Sequence, residues 1–134
     1  MNQGLGIDPV PGLTRMTPDH AFLTPRNGAK VNKEFPLNRM SLLVGRNDPP
    51  HVTVDIDLSD CELGFPPMVS RQHAVLQWIE GELQICDLNS RNGTSVNGQK
   101  LTLTSSGEPS VFVALQVDSL ITLGNLVLEV MIHD

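Results

Sequence analysis

Val75–Cys86 reads VLQWIEGELQIC, two apolar-polar runs on either side of a single glycine. After Gly81, Leu83 and Ile85 alternate with Glu82 and Gln84, the period of a strand with one face in a core and one in water. Gly81 supplies the turn, so the stretch predicts an antiparallel hairpin. The same grammar extends outward in both directions. Short apolar runs at Ala21–Leu23, Leu37–Val44, Val52–Leu58, His73–Ile79, Leu83–Asp87, Ser95–Val96, Val111–Val117, Ser119–Leu123 and Leu126–Ile132 are separated by Gly, Pro and Asn. None carries a helical period over three turns. About nine to eleven short strands at this spacing predict an all-β antiparallel sandwich or barrel, and the missing crossover helices argue against a parallel α/β fold.

The 134 residues fit one domain. Residues 1–19, with prolines and glycines and little periodicity, read as a flexible leader, and the domain is expected over residues 20–134. The apolar stretch 111–132 is cut by Asp118, Glu129 and Gly124-Asn125 into strand-length pieces, so it does not read as a membrane span. No charged segment followed by an apolar one opens the chain, and a cytoplasmic protein is expected. Cys61, in a polar loop, and Cys86, in an apolar run, are expected to be free thiols.

The formal charge of −6 opposes the broad basic footprint that nucleic acids and anionic membranes require. Three of the six arginines, Arg46, Arg71 and Arg91, nevertheless flank the two most unusual loops. Those loops contain Gly45-Arg46, Ser70-Arg71-Gln72-His73 and the segment Asp87–Lys100, DLNSRNGTSVNGQK. Each lies at a strand end, and the loops at one end of a sandwich gather into one site. Arginine offers a planar fork of donors, serine a hydroxyl proton, and asparagine both a donor and an acceptor, so Arg46, Ser70, Arg71, Arg91 and Asn92 together read as an anion receptor. No metal or cofactor is expected. His51, Cys61, His73 and Cys86 lack the closely spaced pair that zinc sites use, and Ser70, His73 and Asp87 lack the elbow of a serine hydrolase.

The ordered set GR, SRQHA, DLNSRNGT and NG, followed by LQVDSLITLG at residues 115–124, resembles the forkhead-associated (FHA) domain over roughly residues 20–134. Val117 stands where that family usually has a glycine in the late turn. The resemblance implies a sandwich of about eleven strands that recognises phosphothreonine in partner proteins without catalysing a reaction. It implies that Arg46 forks onto the phosphate, Ser70 donates to it, Arg71 adds charge, Arg91 makes a second phosphate or peptide contact, and Asn92 holds the peptide main chain. Asn97 would touch residues after the phosphothreonine. Gly45, His73, Gly93 and Gly98 would shape the loops. An alternative is an FHA-like scaffold that binds a protein partner without phosphate.

Two further expectations concern partners. Residues 47–69, with four prolines and five acids, form a long loop beside the expected groove, and part of it, TVDIDL at residues 53–58, alternates like an edge strand. Within it GFPPMV offers Phe65 and Met68 for an apolar residue of the peptide, whereas Asp60 and Glu62 would suit a basic one, and the sequence leaves both open. In the leader, Thr14 and Thr17 are candidates for phosphorylation, which would let the protein bind itself or a neighbouring copy.

Overall fold

The computed structural model describes residues 15–102 and 108–134. It contains eleven strands: β1 (Ala21–Pro25), β2 (Phe35–Pro36), β3 (Ser41–Gly45), β4 (Ile56–Asp57), β5 (Gln72–Ile79), β6 (Glu82–Asp87), β7 (Thr94–Val96), β8 (Gln99–Lys100), β9 (Val113–Ala114), β10 (Leu120–Leu123) and β11 (Leu126–Ile132). They form two sheets, ordered β2-β1-β11-β10-β7-β8 and β4-β3-β5-β6-β9. Among the described residues no helix is long and apolar enough to cross a membrane.

The hairpin predicted from VLQWIEGELQIC is β5–β6, closed by Glu80-Gly81 with Ile79 opposite Glu82. Both turn residues have positive φ, as the backbone twist of a two-residue hairpin demands. Alternation along it buries Leu76, Trp78, Leu83 and Ile85, which meet Leu123, Leu128 and Val130 of the other sheet in one core. Trp78 is thus a core residue, and its indole N–H donates to the Leu37 carbonyl at 2.9 Å. Cys61 and Cys86 are free and buried, and burial raises both thiols, Cys61 to about 11. The sequence placed Cys61 in a polar loop, yet its side chain sits wholly in the core.

Three features depart from the sequence reading. β2 and β8 are two-residue strands that alternation cannot reveal. The apolar run 111–117 pairs only at Val113–Ala114. And β4, the edge strand foreshadowed by TVDIDL, lies parallel to β3, with Val44 opposite Ile56. A short parallel pair needs no crossover helix here because acids tie the loop back: the Leu43 N–H donates to Asp55 Oδ2 at 2.7 Å, and the Asn47 N–H to Asp57 Oδ1 at 3.0 Å. At the start of the described chain, Met16 packs on the core and the Ala21 N–H donates to the Thr17 carbonyl.

A buried polar lattice fixes the loops at one end of the sandwich. The Asp87 carboxylate, at the end of β6, accepts the Ser90 N–H at 2.9 Å, the Ser90 hydroxyl at 2.5 Å and the Thr94 hydroxyl at 2.6 Å. The Ser90 hydroxyl oxygen in turn accepts the Gly93 N–H at 3.0 Å. Gly93 turns with φ +84°, and its carbonyl accepts the Nε2–H of His73 at 2.8 Å. The other ring nitrogen, Nδ1, accepts the Ser70 N–H at 3.0 Å, which fixes the neutral Nε2–H tautomer. His73 is the pin that holds the loop before β5 to the loop before β7.

Burial holds the His73 pKa below its ordinary 6.5, although the Gly93 carbonyl and the Asp87 charge oppose the shift. The unfolded chain therefore takes up a proton below pH 6.5 that the folded chain refuses, so this contribution to stability is full above pH 6.5 and is lost as the pH falls below it. His73→Leu should cost about 1–3 kcal/mol at pH 7.5, because the part-buried Ser70 N–H and the buried Gly93 carbonyl lose their partners. In urea unfolding the gap between the two proteins should narrow from pH 6.5 to pH 5; a constant gap would mean that His73 does not titrate as described.

Candidate functional site

At the end of the sandwich pinned by His73, three loops surround a cleft of about 210 Å³. The β3–β4 loop contributes Arg46, the loop before β5 contributes Pro67–Arg71, and the loop before β7 contributes Arg91 and Asn92. Five of the six residues proposed from sequence as ligand contacts therefore share one wall-to-wall space.

Arg46 enters it because β3 slips register between Val44 and Gly45. Gly45 is needed there: a Cβ would lie 2.0 Å from the Arg71 carbonyl oxygen, backbone that cannot yield. The Arg46 N–H then donates to that same carbonyl at 3.1 Å, and its side-chain Nε–H donates to the Val69 carbonyl at 2.6 Å. With Nε tied to backbone, the two terminal amino groups of the guanidinium are left for a ligand. The Ser70 hydroxyl oxygen accepts the Arg91 N–H at 3.1 Å, so its own proton remains available for donation. Asn92 donates from Nδ2 to the Met68 carbonyl at 2.8 Å, which leaves its side-chain carbonyl to accept a peptide N–H.

The other two arginines differ. Arg71 Nη1 lies 2.7 Å from Asp48 Oδ2, with both side chains about half exposed. A pair so exposed contributes roughly 0–1 kcal/mol, so an incoming dianion can compete for the guanidinium. Among the described residues the Arg91 side chain has no hydrogen-bond or ion-pair partner.

The structure does not bring Asn97 into this cleft. The two Asn-Gly pairs of DLNSRNGTSVNGQK do different jobs. Asn97-Gly98 is a hairpin turn between β7 and β8, with φ +52° and +84°, whereas in Asn92-Gly93 only the glycine is left-handed and the asparagine side chain faces the cleft. Asn97 is turned to the protein itself, accepting the Leu120 N–H at 2.8 Å, and the length of β7 separates it from the cleft by about 10 Å. Gly93 and Gly98 both turn with φ +84°.

Sequence reasoning missed the structural roles of three acids. Asp87 anchors the lattice behind the site; Asp48 holds Arg71; and Glu62 accepts the Met68 N–H at 2.8 Å and the Val69 N–H at 3.2 Å, shaping the loop that offers Ser70. Their only sequence signal is an acid close to a strand end, which any solvated loop also shows. Ser70, His73 and Asp87 do not form a catalytic relay, since both His73 nitrogens are bonded to backbone groups and neither faces the Ser70 hydroxyl.

Comparisons with known proteins agree with this architecture. The model of the FHA domain family matches residues 42–124. An oxoglutarate dehydrogenase inhibitor from Corynebacterium efficiens is 33% identical over 95 residues, which cover 70% of this chain and 60% of the relative, so the match leaves much of that protein's length outside it. The FHA domain of a Chlamydia trachomatis protein superposes with a TM-score of 0.63 at 27% identity, covering 86% of this chain and 99% of the other. EmbR of Mycobacterium tuberculosis, solved in complex with a low affinity phosphopeptide, gives a TM-score of 0.63 at 24% identity over 84% of this chain and 24% of its own, a likeness of fold. With the family model spanning most of the sandwich and the loops of the cleft alike, the chain belongs to the FHA domain family.

Proposed function

We propose that this is a non-enzymatic, cytoplasmic adaptor whose domain, residues 20–134, binds threonine-phosphorylated proteins in serine/threonine kinase signalling, with residues 1–19 as its leader. The observation that carries this reading is the pairing of a prepositioned Arg46 guanidinium with a Ser70 hydroxyl whose proton is free, inside a cleft that also holds Arg71 and Arg91. A phosphothreonine brings about −1.5 to −2 charges and three acceptor oxygens, which match these donors. Asn92 would hold the peptide main chain. Asn97 serves the framework in this reading. The similarity to an oxoglutarate dehydrogenase inhibitor supports a regulatory role.

The loop before Ser70 supports one of the two peptide preferences. Glu62 is committed to the Met68 and Val69 N–H groups, and Asp60 lies 3.7 Å from the Lys33 amine, whereas Leu63 and Phe65 are 72% and 92% exposed. The loop thus presents apolar surface, and a hydrophobic residue after the phosphothreonine is the favoured partner. As for the leader, Thr14 lies outside the described residues. Thr17 is held by its carbonyl to Ala21 at the end of the sandwich remote from the cleft, about 25 Å away by the length of β11, so a phosphorylated leader would reach a neighbouring copy more readily than its own site.

Matched Thr and phospho-Thr peptides test the reading. Arg46→Ala should weaken only the phosphorylated peptide, by about a hundredfold or about 3 kcal/mol in calorimetry. Equal affinity for both peptides in the wild-type protein would replace this reading with the phosphate-independent scaffold. Binding should also weaken as the pH falls below about 6, where the phosphate gains its second proton, and a flat profile would count against phosphate recognition. A degenerate phosphothreonine library should select apolar residues opposite Leu63 and Phe65; selection of Lys or Arg would show that the acids act instead.

A further inference from the structure

A cleft of about 700 Å³ among the described residues lies at the opposite end from Arg46 and Ser70. The cleft before β5 abuts Gly124 at one end of β11, whereas this one is closed by Ile132 at the other. Its floor is apolar, made of Met16, Leu83, Leu115 and Ile132. Its rim is acidic: Glu80, Glu82, Asp118 and Asp134 border it, against the single cation Arg15. Among the described residues the carboxylates of Glu80, Asp118 and Asp134 have no ion-pair partner, and that of Glu82 accepts only the Gln84 amide.

Two residues of the chain itself, Arg15 and Met16, already occupy part of this surface. Arg15 lays its guanidinium across the Glu80-Gly81 turn, Nη2 lying 3.0 Å from where a Cβ of Gly81 would stand, while the adjacent Met16 packs into the core. A basic residue on the rim beside an apolar one in the floor is therefore already accommodated over part of the cleft. The rest has the same character and no such occupant among the described residues. Glu80 points to the same use. It holds φ +51° in a hairpin position that favours asparagine or glycine, so the turn keeps an acid where the backbone would prefer another residue.

We propose that this cleft is a second docking surface, which takes an extended segment of a partner protein with alternating basic and apolar side chains: the basic ones on the Glu80, Glu82, Asp118 and Asp134 rim, the apolar ones on the Leu83 and Leu115 floor. Its volume lies within the range of ligand-binding clefts, and its charge is complementary to such a segment. Because it sits at the far end, its occupation does not depend on phosphate recognition by Arg46.

The test is an amide NMR titration of the full-length chain, at low salt, with a peptide of alternating lysine and leucine and with its glutamate-leucine counterpart. The lysine peptide should give saturable shifts in Glu80–Leu83, Leu115–Asp118 and Ile132, and the glutamate peptide none. Glu82→Lys with Asp134→Lys should weaken the lysine peptide at least about tenfold, and Glu80→Asn about two- to fivefold. Glu80→Asn should also raise the urea midpoint, which separates loss of contact from loss of fold. Unchanged affinity in the double variant, shifts spread equally over Asp55 and Asp60, or equal binding of both peptides would overturn the proposal. So would cleft shifts that depend on protein concentration without peptide, which would assign the surface to a second copy of the chain.

Discussion

Everything around the Arg46 cleft hangs from one buried carboxylate and one buried imidazole. Asp87 leaves β6 inside the core, where an ionised carboxylate is tolerable only if its lone pairs are filled. Ser90 and Thr94 fill them, and in doing so fold the chain between β6 and β7 into one shape. That shape aims the Gly93 carbonyl at His73, and His73 passes the constraint to Ser70. The loops that carry Ser70, Arg91 and Asn92 are thus positioned by a chain of hydrogen bonds beginning in the core. The site inherits its rigidity from the sheets, although none of its side chains belongs to a strand.

The second constraint is steric. Gly45 lets β3 pass within contact of the Arg71 carbonyl, and that approach brings the Arg46 backbone and side chain onto the loop before β5. Gly124 does the same from the other sheet, where a Cβ would lie 2.8 Å from that of Met68. Both glycines permit a close approach to the loop before β5, which lines the cleft.

Much of this was legible beforehand. Alternation in VLQWIEGELQIC announced the hairpin, because a strand with one buried face must alternate. TVDIDL announced an edge strand for the same reason. Arg46, Ser70, Arg71, Arg91 and Asn92 could be grouped because their positions at strand ends and their order in the chain both pointed to one loop cluster. What stayed hidden depends on partners distant in sequence. β2 and β8 are too short to have a period of their own, and the parallel pairing of β4 follows from where Asp55 and Asp57 find N–H groups. Asn97 looked like Asn92 because both precede glycine; only the φ angles and the Leu120 N–H separate a turn residue from one that faces the cleft. Glu62 looked like a surface charge available to a peptide, whereas backbone N–H groups had already claimed it.

The bond from the Arg46 Nε–H to the Val69 carbonyl has an entropic consequence. A free arginine side chain carries about 2 kcal/mol of rotamer entropy, which an anion would have to overcome in binding it. Here the side chain is immobilised when the domain folds, so the ordering is complete before any ligand arrives, and the gain from each new hydrogen bond goes into affinity. The same bond sets a chemical limit on the position. A lysine could reach either the carbonyl or the cleft with its single ammonium, whereas the guanidinium uses one nitrogen as a hinge and keeps two as a grip.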